Sequence, residues 1–248
     1  CGLSIQIGIQ LYTVRKSAEA DPEGTIRKVA QAGYKGVQFA GYYGFSARKM
    51  KGILDECGLK AAGSHVGYEL LERGADAELE YARAIGLSYI TVPGIGLENL
   101  LKPQTIDFLA RFVEKAKGMG ITVSYHNHFH EFTRKNGEFP LDILFREVPG
   151  LKMELDTYWA DYAGVEPLAY MRANASRLAS VHIKDRSKDP KKPDINANIG
   201  EGTLDIAAYL REAEKLHVGW AFVEMDQCDG DDIACMEISR KNLVKMGY

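Results

Sequence analysis

Cysteine is scarce in this chain: four of 248 residues, Cys1, Cys57, Cys228 and Cys235, with no two in a CxxC pair. That density excludes a disulfide scaffold. Cys57 falls inside a helical pattern and reads as a small buried apolar residue. No apolar run approaches the roughly 20 residues needed to span a bilayer. Net charge is also low, at −3, and gives no electrostatic pull toward nucleic acid or an anionic membrane. A hydrophobic fraction of 46% with 10% aromatics excludes disorder and allows a sizeable core. No GxGxxG follows the first β-prone run, and no linker rich in Pro, Gly or Ser divides the chain. An initiating methionine is missing too. Cys1 is therefore expected to be a processed start, by trimming or by removal of a signal with lipid attachment. A cytoplasmic location is expected otherwise, and an exported or periplasmic one if Cys1 is such a product.

What is present is one unit repeated. β-prone apolar runs occur at Ile5–Thr13, Tyr34–Gly41, Leu59–Gly67, Leu87–Gly94, Ile121–Phe129, Leu151–Trp159, Leu178–Asp185 and Gly219–Asp226. Helical patterns separate them. "DPEGTIRKVAQAG" offers Asp21 as N-cap and Pro22 at the first helical position. "SARKMKGILDECG", "DAELEYARAIG" and "QTIDFLARFVEKAKGMG" each close on glycine. Further helices are expected at Pro140–Val148, Glu166–Leu178, Thr203–His217 and from Asp231 to Gly247. Strands separated by full helices must run parallel through right-handed crossovers. An open doubly wound sheet is the competitor. Even spacing and the missing glycine-rich loop favour a closed (β/α)₈ TIM barrel, a single domain over 1–248.

A closed barrel delivers its chemistry from the C-terminal strand ends. Polar residues fall there. His65 ends the third run, and the fifth passes into "YHNHFHEF", which holds three of the six histidines of the chain. Asp156 ends the sixth run, His182 and Lys184 the seventh, Glu224 and Asp226 the eighth. Glu131, Asp156, His182 and Glu224 make a candidate ligand set. Its three carboxylates repel one another, and without a cation some would stay protonated. One divalent ion resolves the conflict, Mn²⁺ first, with Mg²⁺, Co²⁺ or Zn²⁺ as alternatives.

Each residue also has a plainer reading. Asp156 could cap a helix, His182 could be a satisfied core histidine, and Glu224 could pair with Lys184. Glu154 shares a strand face with Asp156 and is a rival for an inward position, but its place earlier in the strand equally suits a salt bridge in a lower layer or solvent exposure near the bottom. Around this focus Tyr12, Tyr125, Tyr158, Trp159 and Phe39 offer aromatic walls. Gln38, His65, His126, Asn127, His128 and Lys184 offer hydrogen bonds or proton transfer. The polar segment Asp185–Gly202 reads as a loop over the mouth, its lysines either solvent-facing or available to a phosphate.

The ordered series "GIQLYTVR", "LKAAGSHVG", "YHNHFHEF", "ELDTYW", "VHIKD", "IGEG" and "FVEMD" resembles the xylose isomerase-like TIM-barrel superfamily of sugar (phosphate) isomerases and epimerases. The resemblance covers essentially the whole chain. It implies a divalent metal held by Glu131, Asp156, His182 and Glu224, with His126 or His128 as alternatives to Glu131. It also implies a small-molecule sugar substrate. Gln38 stands where members of the family commonly carry a glutamate, which leaves no strand-two base.

The chemistry such a site favours is proton abstraction next to a carbonyl through a metal-stabilised enediolate. Glu131 and Glu224 are the expected acid–base pair, with His128 and His65 as rival carriers. Elimination or hydration of a 3-keto sugar or glycoside would use the same carbanion, and an inactive carbohydrate-binding barrel is the non-enzymatic alternative. A DNA endonuclease of the superfamily would need further histidines where Trp159 stands, so no nucleic-acid partner is expected. A homo-oligomer is left open.

Overall fold

Each β-prone run becomes a strand, shorter than the run because the polar residues at its C-terminal end leave the ladder. In the computed structural model, which describes residues 4–248, the first seven are β1 (Gln6–Gln10), β2 (Gly36–Phe39), β3 (Lys60–His65), β4 (Tyr89–Val92), β5 (Thr122–His126), β6 (Lys152–Asp156) and β7 (Leu178–Ile183). A two-stranded hairpin follows, β8 (Asp185–Arg186) with β9 (Asn196–Ala197), and then β10 (Trp220–Val223). β1 to β7 pair in chain order, and β10 closes the circle between β7 and β1. Every barrel pairing is parallel, so the sheet is the expected closed (β/α)₈ barrel. Cys1 lies outside the described residues. Among these, no helix is long and apolar enough to cross a membrane.

Local signals place most helix ends. Asp21 accepts the Gly24 N–H at 2.9 Å, and Pro22 opens a helix that Gly33 ends in the left-handed region, at φ 101°. Ser46 caps Ala47–Cys57 in the same way. Other boundaries differ from expectation. The helix expected from Asp76 begins at Tyr68 and bends at Gly74, because its start has no side-chain cap to mark it. The segment expected to be helical from Glu166 is helix only over Pro167–Ala173. The sixth apolar run breaks at Asp156, which caps the helix Thr157–Tyr162.

The lower barrel is filled by side chains. Trp220 and Phe222 stack 5.7 Å apart, 2° from parallel, with Ala62 buried beside them and Tyr89 against the cluster. Their neighbours on β1 and β2 have to be small. A Cβ on Gly36 would come 2.6 Å from the Trp220 ring, and one on Gly8 2.8 Å from Phe222. Burying one such ring stabilises the fold by roughly 1.5–3 kcal/mol. A packed floor leaves only the upper layer of the barrel for chemistry.

Candidate metal centre

Strand parity stacks the polar residues in two layers. Glu154 and Asp156 share a face of β6. On the next strand Ser180 and His182 share a face, and Lys184 follows in the same phase. The lower layer centres on Glu154, wholly buried. Gln38 Nε2 and Ser180 Oγ donate to Glu154 Oε2 at 2.8 and 2.6 Å, and His65 Nε2 lies 2.7 Å from Oε1. His182 Nε2 is 2.8 Å from the same Oε1 and 2.7 Å from Gln38 Oε1. Gln10 in turn donates to Gln38 at 3.1 Å. Burial opposes a charge on Glu154, yet the His182 and His65 imidazoles hold its carboxyl well below the usual range. Glu154 therefore works from beneath, fixing one nitrogen of His182 so that the other faces upward.

The upper layer is the donor cluster. His126, Asp156, His182 and Glu224 each present an atom within 4.8 Å of those of the other three. His126 Nε2 is 3.0 Å from Asp156 Oδ2, and His182 Nδ1 is 3.3 Å from Glu224 Oε1 and 3.9 Å from Asp156 Oδ2. Asp156 divides its oxygens between two tasks. Oδ1 accepts the Trp159 N–H at 2.9 Å as helix cap, and Oδ2 faces the cluster. Asn127 Oδ1 accepts the Asp156 backbone N–H at 2.9 Å and sets that strand end.

The donor set suits one divalent ion. Two imidazoles and two carboxylates are the ligand types that borderline and harder divalent ions share. A carboxylate behind the His182 ring is the usual support for a metal-binding histidine. Burial, followed by the neighbouring His182, lowers the His126 pKa to about 3, so this imidazole is neutral and free to ligate. Its Nδ1 is buried without a hydrogen-bond partner. His182 behaves oppositely: burial opposes its charge, but Glu154 and Glu224 raise it to about 10.

A resident cation already touches the cluster. Lys184, fully buried, places Nζ 3.3 Å from Asp156 Oδ2, 3.1 Å from Glu224 Oε1 and 2.6 Å from Asp226 Oδ2. Asp156 is held down to about 2 against burial, with Lys184 the first favourable cause, and Glu224 also lies well below the carboxylate range.

Three of the four expected ligands meet, and the fourth does not. Glu131 is wholly buried outside the cluster. Its Oε2 accepts the Tyr125 hydroxyl at 2.7 Å and its Oε1 the His128 backbone N–H at 2.9 Å. The cause is local: β5 ends at His126 and the chain coils into a short 3₁₀ turn, His130–Phe132, that carries Glu131 behind the strand. His126, one of the alternatives, stands in its place.

Above the donors lies a cavity of about 390 Å³. Of the residues expected to meet substrate or move protons, Tyr12, His65, His126, His128 and Glu224 line it. Gln38 and Asn127 do not; Gln38 supports His182 from below, and Asn127 holds the Asp156 backbone at the strand end. Lys184 is covered, its Nζ 5.1 Å from the centre of the Trp159 ring. Trp159 packs with Phe129 and the exposed Tyr162, at centroid distances of 5.5 and 5.2 Å. Sequence reading missed the depth of Lys184, for which the even spacing of Ser180, His182 and Lys184 was the available signal; Glu154 takes the lower-layer salt bridge that its place early in the strand allowed.

The profile of the xylose isomerase-like TIM barrel family matches residues 26–238. The rhizopine catabolism protein MocC of Rhizobium meliloti is 23% identical, over 90% of this chain and 81% of that protein. An inosose dehydratase of Clostridium beijerinckii is 22% identical, over 83% and 82%. Among solved structures, a sugar phosphate isomerase/epimerase from Parabacteroides distasonis superposes with a TM-score of 0.78 at 21% identity, over 97% of this chain and 94% of that one.

Proposed function

Because the chain belongs to the xylose isomerase-like TIM barrel family, we propose that it is a divalent-metal-dependent isomerase or epimerase of a small sugar-like substrate. In this reading it removes a proton from the carbon beside a carbonyl and returns one to that carbon or its neighbour. The observation that carries it is the meeting of His126, Asp156, His182 and Glu224 beneath a cavity at the C-terminal mouth. These four residues would hold the metal, Mn²⁺ by preference. When bound, it polarises the substrate carbonyl and stabilises negative charge developing on oxygen.

The protein supplies the rest. Glu224 has one oxygen in the cluster and lines the cavity, so its other oxygen is placed to take the proton. His128 lines the same cavity from the β5 side, its Nδ1 buried beside Gly94 without a hydrogen-bond partner. Burial lowers its pKa, so it stands neutral at pH 7, able to accept a proton or relay one. Tyr12 lies at the rim, where its hydroxyl can meet a substrate hydroxyl. Losing either proton carrier typically costs about 10²–10⁴-fold in rate.

Elimination of water is the second reading. His128 favours it, since a neutral imidazole on the cavity wall that takes the α-proton can pass it on to a departing hydroxyl, and the inosose dehydratase relative supports it by its name. A panel of free ketoses and keto-cyclitols in D₂O with Mn²⁺, followed by ¹H NMR, separates the two. Deuterium at one carbon without loss of water supports isomerisation, and an enone product supports dehydration. Exchange on none of the panel would sink both.

A further inference from the structure

Two of the four cysteines meet in one turn beside the mouth. Cys228 lies four residues beyond Glu224, in the loop from β10 to the last helix, Asp232–Lys245, and Cys235 stands one turn into that helix. Between them Gly230 reverses the chain at φ 115°, and Asp231 caps the helix by accepting the Ala234 N–H at 2.9 Å. Helical side chains lean toward the N-terminus, so the Cys235 thiol reaches back over the turn. Its Sγ lies 3.9 Å from the Asp229 carbonyl oxygen, and Cys228 Sγ lies 3.6 Å from that of Gly230. The two thiols thus face consecutive peptide groups and are hydrogen-bonding neighbours. Both are free, Cys235 buried and Cys228 half-buried.

The strand end of this loop is already anchored. Asp226, two residues before Cys228, lines the cavity and pairs with Lys184. The Asp226 and Gln227 N–H groups donate to Asn196 Oδ1 at 2.8 and 3.4 Å, and Cys228 itself bridges Asn196. Cys57 ends a different helix, with Arg27 donating to its Sγ at 3.9 Å. We propose that Cys228 and Cys235 form a reversible disulfide by exchange with small-molecule disulfides, tying the loop that carries Asp226 to the last helix. Cys228, the more open of the two, attacks one sulfur of the small disulfide as thiolate. The S–S bond breaks, one small thiolate leaves and takes up a proton, and a mixed disulfide remains on Cys228. Cys235 then loses its proton and attacks Cys228 Sγ, expelling the second small thiol. Two protein thiols are oxidised, and one small disulfide is reduced to two thiols. This order follows from burial, which together with the adjacent Cys228 thiol pushes Cys235 up to about 12 and makes it the slower nucleophile at pH 7.

Oxidised glutathione is the probe, added to the full chain in its folded state. Remaining thiols are then alkylated, and the protein is digested with trypsin without reduction. One peptide, Leu216–Arg240, carries both cysteines. It should emerge two hydrogen masses lighter and unalkylated, and dithiothreitol before alkylation should return it doubly alkylated. Cys235→Ser should hold glutathione on Cys228. Cys228→Ser should take glutathione on Cys235 at least about tenfold more slowly, because that thiol is buried. A wild-type peptide that stays doubly alkylated overturns the proposal, as does one that ends with glutathione fixed on Cys228 and Cys235 still open to alkylation. Equal rates in the two variants overturn the order of attack. Should either variant not fold, the mass of the wild-type peptide decides.

Discussion

Lys184 Nζ lies 3.1 Å from Glu224 Oε1, with neither group open to bulk water, so an ammonium holds the carboxylate that a metal would also claim. The same lysine reaches Asp156 and Asp226. In the metal-free protein it offsets the repulsion that three adjacent carboxylates would otherwise generate. Lys184→Met should therefore destabilise the chelator-treated protein by about 3–5 kcal/mol, the usual cost of stranding buried charge. Saturating Mn²⁺ should restore more stability to the variant than it adds to wild type. Thermal unfolding with and without metal measures both, and an equal loss under the two conditions would remove Lys184 from any competition with the ion.

His126 joins the cluster where Glu131 was expected, and Glu131 accepts from Tyr125 and His128 instead. His126→Ala should abolish stoichiometric metal at micromolar Mn²⁺ while leaving the barrel folded. Glu131→Gln should keep the metal and lose roughly 1–3 kcal/mol, because a neutral amide replaces a buried acceptor of the Tyr125 hydroxyl and the His128 N–H. Elemental analysis of the two purified variants decides the assignment. Metal retained by the first and lost by the second would reverse it.

These contrasts show where sequence reasoning reached and where it stopped. Each strand was legible because an apolar run ended in polar residues, and the closed barrel turned those ends into one rim. Asp156, His182 and Glu224 followed from that rim and from alternation along their strands. Glu131 did not, because the chain coils after His126 and a carboxylate takes the nearest donors. The depth of Lys184 was hidden, and the register shift between Met153 and Glu154 is invisible in sequence. Gln38 looked like a lost base, yet its amide joins Gln10, Glu154 and His182 across the barrel.

His182 links proton and metal binding. Glu154 and Glu224 overcome burial and raise its pKa to about 10, well above the unfolded value of about 6.5. A raised folded pKa adds stability that is complete below the unfolded value and disappears as pH climbs through the folded one. Chelated protein should consequently lose stability between pH 7 and pH 10, and metal-loaded protein should lose less, since its His182 is already neutral. Binding Mn²⁺ at pH 7 should release close to one proton from this ring. Calorimetry in two buffers of different ionisation enthalpy reads that number, and no release would mean that His182 carries no proton before metal arrives.

Asp156 gives the sharpest separation of structure from chemistry, because its two oxygens do different work. Asparagine caps helices about as well as aspartate but ligates poorly, and alanine does neither. Asp156→Asn should thus retain the cap on Thr157–Tyr162 and lose the metal, whereas Asp156→Ala should lose both, with about 1 kcal/mol of further destabilisation from the missing cap. Comparing the two variants in chelator isolates the cap, and comparing each with wild type in Mn²⁺ isolates the ligand. Equal stability of the two variants in chelator would mean that Oδ1 contributes nothing to the helix, and full metal content in Asp156→Asn would mean that Oδ2 is not a ligand.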